Sequence, residues 1–108
     1  MDRSKVKNIF HAQSEKLPAE VSDEILSGAN FKMERIVSEG QSSPPGFWYD
    51  QEQNEFVMLL CGSADILFES DETIKMSKGD YIVIPAHMKH RVDWTDPDQK
   101  TVWLALFY

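Results

Sequence analysis

Two polar side chains of this chain, Glu55 and His90, stand where they could do chemistry. Glu55 opens an otherwise apolar run, Glu55-Phe56-Val57-Met58-Leu59-Leu60-Cys61. His90 opens an alternating run, His90-Arg91-Val92-Asp93-Trp94, shortly after Pro85. Side chains of an extended chain point to opposite faces in turn. Glu55, Val57, Leu59 and Cys61 therefore share one face, and His90, Val92 and Trp94 share another. A carboxylate and an imidazole at the open ends of apolar strands can share a metal ion or hydrogen-bond a polar ligand. They can equally be plain rim residues. Spacing alone leaves these readings open.

The elements that must carry the pair are legible as strands. Gly79-Asp80 turns into Tyr81-Ile82-Val83-Ile84. Pro85, with its fixed φ and no N–H, ends that run. Alternation predicts a half-buried strand from Phe31 to Ser38, and Gly40 to Gly46 is a loop by composition. Phe47-Trp48-Tyr49 reads as a short aromatic strand, followed by a polar connector up to Asn54. Gly62-Ser63 looks like a two-residue hairpin turn between the Glu55 strand and Ala64 to Glu69. Further strands are predicted at Thr73 to Met76 and Thr101 to Phe107. Residues 1–30 read as an arm and one short helix at residues 18–27, with Pro18 early, Val21 and Ile25 four apart, and Gly28 as the stop. The arm belongs to the same domain as residues 31–108. Many short strands with little helix make the fold class all-β, a sandwich or small barrel.

Composition narrows the function classes. A chain of 108 residues suits one domain with one modest core. A net charge of −7 argues against nucleic acid, whose phosphates call for a basic stripe. One cysteine, Cys61, excludes an intramolecular disulfide and suits a reducing compartment. It reads as a buried, inert thiol, and His11 as an exposed residue of the arm. No stretch has the pattern of a signal peptide or the length of a membrane span, so no membrane partner is expected and the expected location is the cytoplasm.

The run from Gly79 to His90 resembles the second conserved motif of the cupins, with a glycine, five residues, Pro85, and then His90. Glu55 followed seven residues later by Gly62 resembles the end of the first cupin motif. The likeness covers Phe31 to Tyr108 and implies a double-stranded β-helix, a jelly-roll barrel with its ligand site inside the mouth. The family's usual site has three histidines and one glutamate on a metal ion. Here Glu55 and His90 hold two of those positions. Trp48 and Asp50 stand where two histidines would be, and His87 stands where the motif has glycine. The resemblance thus implies a reduced divalent-metal site of Asp50, Glu55 and His90, with iron, manganese, zinc and nickel not distinguishable.

Trp48, Tyr49, Trp94 and His87 are the candidate ligand-binding residues. Phe47 could join that wall, although Phe47 and Trp103 suit plain core positions better. Lys89 and Arg91 alternate with His90 and are expected to face out. One functional class is a binding module for a small molecule. The other is a metal-dependent enzyme, an isomerase, dioxygenase or lyase acting on a small polar substrate. Both faces of residues 102–107 are apolar, which calls for cover from the arm or from a second subunit; a homodimer is expected.

Overall fold

The computed structural model describes residues 1–11 and 15–108. Among them, a 3-10 turn at Arg3–Lys5 is followed by eight strands: β1 Val21–Ser27, β2 Lys32–Ser38, β3 Glu55–Cys61, β4 Ser63–Phe68, β5 Thr73–Ser77, β6 Tyr81–Ile84, β7 His90–Thr95 and β8 Thr101–Phe107. They form two sheets, ordered β1-β2-β8-β3-β6 and β5-β4-β7, with every pairing antiparallel. No helix among the described residues is long and apolar enough to cross a membrane.

The core follows from alternation. On β3, Val57 and Leu59 are buried; across the space between the sheets stand Ala64, Ile66 and Phe68 of β4. Met76, Ile84 and Trp103 complete this main cluster. The last strand lies at the centre of its sheet, paired on one side with β2 and on the other with β3. Its Trp103 and Ala105 face the core, and Trp103 is the plain core residue that its position predicts. Val102 points the other way, into a second small cluster with Val37 and Leu17 of the arm.

Leu17 is fastened there by its backbone. Its N–H donates to the Glu39 carboxylate at 3.0 Å, and its carbonyl accepts from the Gln41 amide at 2.9 Å. The arm is therefore part of the cover that the outer face of β8 requires. Cys61 lies against the same cluster, half-buried. A register shift between Leu59 and Cys61, opposite Trp103 and Val102, removes it from the face that Val57 and Leu59 share.

Three local expectations are corrected. Residues 21–27 form no helix; they are the edge strand β1, paired with β2 from Val21 opposite Val37 to Ser27 opposite Lys32. The four-residue spacing of Val21 and Ile25 has no buried face to serve, since every residue of β1 is exposed. Phe47 to Tyr49 is not a strand, and only Tyr49 makes a bridge, to His90. Gly62 does not close a hairpin, because β3 and β4 belong to different sheets. It turns the chain between them at φ +94, where a Cβ would collide with the hydroxyl and Cα of Thr101.

Candidate functional site

The strands deliver Glu55 and His90 to one place. Glu55 starts β3 and His90 starts β7, and the two sheets meet there. His90 Nε2 lies 3.2 Å from Glu55 Oε1, and both side chains are nearly buried, at 6% and 12% exposure. On its other side His90 Nδ1 lies 2.9 Å from the Met88 carbonyl. Both ring nitrogens thus face acceptors, an arrangement that only the imidazolium satisfies fully. Burial pulls the His90 pKa down, but the Glu55 hydrogen bond, the Met88 carbonyl and the Glu55 charge together outweigh it. The net direction is upward. Gln51, in the polar connector, donates its amide to the same Glu55 oxygen at 2.9 Å.

Tyr49 is tied to His90 twice through the backbone, its N–H donating to the His90 carbonyl at 2.7 Å and its carbonyl accepting at 3.2 Å. Their rings stack, with centroids 5.5 Å apart. Phe47, exposed rather than in the core, meets Tyr49 edge-on at 4.9 Å.

Beside the pair is a cavity of about 250 Å³. Its apolar wall includes Val57, Ile66, Ile84, Val92 and Trp103, and Phe107 and Tyr49 also line it. Three carboxylates line it, those of Glu20, Glu34 and Glu55. Glu34 and Ile36 face it from β2, while Arg35 between them turns to the opposite side and binds Asp23 and the arm carbonyls. Glu20 is an exposed residue of the approach to β1, yet its carboxylate accepts the hydroxyl of fully buried Ser38 at 3.3 Å. Desolvation raises the Glu20 pKa against that hydrogen bond, and the Glu34 charge adds to the rise. Desolvation also raises the Tyr49 phenol, helped by the charges of Glu20 and Glu55.

The other candidates lie elsewhere. Asp50 and His87 pair with each other, Oδ1 to Nδ1 at 3.0 Å, both well exposed and outside the cavity lining. His87 sits at φ 63, which explains why a glycine suits this corner. Trp48 is half-buried but is not part of the cavity wall. Trp94 is 37% exposed, under the Lys75 ammonium, because a register shift on β7 breaks the alternation that would align it with Val92. Lys89 pairs with Glu69 at the surface, as its outward position predicts. Arg91 is half-buried, donating to the Ser43 carbonyl. Glu20, Glu34 and Gln51 were not singled out by sequence. Only Glu34 carried a signal, its place two residues before Ile36 in an alternating strand.

The profile of the cupin domain matches residues 33–107. The chain belongs to the cupin family. Its two sheets are the cupin jelly roll, and the resemblance drawn from Glu55, Gly62, Pro85 and His90 holds. A solved structure from Ralstonia eutropha JMP134, described as a candidate mannose-6-phosphate isomerase, is 46% identical, with TM-score 0.90 over 95% of this chain and 96% of that one. A cupin superfamily protein from Desulfitobacterium hafniense DCB-2 superposes with TM-score 0.73 at 16% identity, over 89% of this chain and 82% of that one. A cupin barrel protein from Leptotrichia buccalis gives 0.71 at 18% identity, over 92% of this chain and 44% of that one. At such low identity the latter two show the fold alone. No curated protein matches the sequence.

The residues of this cupin do not fit a three-ligand metal centre. Among the described residues, no three His, Cys, Asp or Glu side chains gather around a common point. Glu55 and His90 converge, but Asp50 is engaged with His87 and Trp48 has no lone pair to give. Stable transition-metal sites use three or four protein donors, and two leave the ion mostly to solvent.

Proposed function

We propose that this cupin is a small-molecule binding module whose ligand occupies the cavity beside Glu55 and His90. One observation carries the reading: an apolar cavity of about 250 Å³ ends at a nearly buried, hydrogen-bonded carboxylate–imidazole pair. Apolar walls supply affinity through burial, and a few fixed polar groups supply orientation. Gln51 and Met88 hold the pair in place, so a ligand meets preset partners. Titrating the protein with benzyl alcohol, a neutral probe of suitable size, tests this through methyl NMR. Saturable shifts at Val57, Ile66, Ile84 and Val92, with none at Val6 or Val83, support the reading. Absence of shifts at the cavity methyls overturns it.

A second reading, an isomerase, is favoured by the 46% identical relative. In it Glu55 and His90 would pass a proton between adjacent carbons of a bound sugar. Incubation with mannose 6-phosphate and detection of the ketose phosphate tests it directly. The proposal also includes a homodimer. The outer face of the five-stranded sheet carries Tyr81 and Val83 on β6, Phe56 and Met58 on β3, and Leu104 and Leu106 on β8 in paired register. Tyr81 and Val83 are 66% and 50% exposed, more than a lone apolar face tolerates well.

A further inference from the structure

Resting on the reading that the cavity beside Glu55 and His90 is a ligand site, we propose that its ligand is a small organic cation, a primary or quaternary ammonium compound, and not an anion. The largely apolar cavity makes the site; the charges around it select the occupant. Three carboxylates line it, and among the described residues no lysine or arginine does. Each carboxylate can be accounted for in turn. Glu55 faces His90 at 3.2 Å and accepts from Gln51. Glu34 is met at the rim by Lys32, Nζ to Oε1 at 2.7 Å. Glu20 receives only the Ser38 hydroxyl and has no ion-pair partner among the described residues.

One carboxylate in the lining of an apolar space, that of solvent-exposed Glu20, is therefore left without a counter-charge. An ammonium entering there supplies it. The side chains of Tyr49 and Phe107 line the same cavity, and aromatic rings attract cations. Lys32 already places its ammonium 5.5 Å from the Phe107 ring centroid. The hydrocarbon part of the ligand packs on Val57, Ile66 and Trp103, and a distal hydroxyl donates to the Glu55 carboxylate, since both ring nitrogens of His90 are already engaged. A phosphate ester would instead bring negative charge among three carboxylates, with the one nearby lysine committed to Glu34.

The test uses one ring with three charges: benzylamine, benzyl alcohol and benzyl phosphate, titrated at low ionic strength and read at the cavity methyls. Benzylamine should bind about fivefold more tightly than benzyl alcohol, the increment of roughly one partly exposed charge pair. Benzyl phosphate should bind most weakly. In Glu20→Gln the ratio of the first two affinities should fall to about one, a ratio that a general loss of packing would not move. Benzyl alcohol binding as tightly as benzylamine in the wild type overturns the cationic ligand while leaving the binding site intact. So does benzyl phosphate binding most tightly, or a preference that survives Glu20→Gln. If none of the three shifts the cavity methyls, the ligand-site reading itself fails, and this inference with it.

Discussion

His90 Nε2 and Glu55 Oε1 lie 3.2 Å apart across the junction of the two sheets, and neither side chain is more than 12% exposed. The pair joins β7 to β3 where no backbone ladder does. Because its two acceptors favour the protonated ring and outweigh burial, the folded pKa of His90 lies above the unfolded value of about 6.5. A raised pKa contributes stability that is full below the unfolded pKa and is lost as pH rises through the folded one. Denaturant unfolding should therefore show stability falling above about pH 6.5, with the His90 ring resonances titrating above the ordinary range. Glu55→Gln should lower that titration and flatten the slope. An unchanged slope in Glu55→Gln would show that the pair is not its source.

Gly62 turns the chain from one sheet to the other at φ +94, pressed against Thr101. Neither the φ nor the space admits a side chain. Gly62→Ala should cost about 2–4 kcal/mol in urea unfolding. A loss within 0.5 kcal/mol, the range of about neutral surface changes, would mean the corner is looser than described.

His87 lies in the left-handed region with its ring exposed on Asp50. An exposed histidine–carboxylate contact contributes little, whereas the left-handed backbone costs a non-glycine residue about 1–2 kcal/mol. His87→Gly should leave stability unchanged or raise it by up to about 1 kcal/mol, since glycine also loses more entropy on folding. A loss of more than about 1 kcal/mol would assign His87 a structural role that the exposed pair does not explain.

The paired apolar rows of Phe56, Met58, Leu104 and Leu106 on the outer face call for a partner. Sedimentation should report a dimer at micromolar concentration, and Leu104→Glu should produce monomers that remain folded. A wild-type monomer at that concentration would leave the arm, through Leu17, as the cover.

How much of this was legible depends on where the order comes from. The strands β3, β6 and β8 are written as short apolar runs and β7 as an alternation, and Gly79 and Pro85 mark the ends of β6. Glu55 and His90 could be matched for the same reason, each starting its strand. The edge strand β1 could not be read locally. It is exposed throughout, so its pairing with β2 and the Arg35–Asp23 contact at 2.6 Å decide its conformation. Pro18 and Gly28 imitate helix punctuation, but Gly28 serves a turn instead, its N–H donating to the Phe31 carbonyl at 3.0 Å. Trp94 was misdirected by a bulge, which alternation cannot foresee. Glu20 reaches the cavity lining from outside any strand, through the fold alone.

The central claim is that the space beside Glu55 and His90 receives a ligand, and a crystal structure of the protein grown with benzyl alcohol tests it most directly. The account predicts the ring against Val57, Ile66 and Trp103, with its hydroxyl within hydrogen-bond reach of the Glu55–His90 pair. A cavity closed by its own side chains, or a ring bound elsewhere with this space empty, would contradict it.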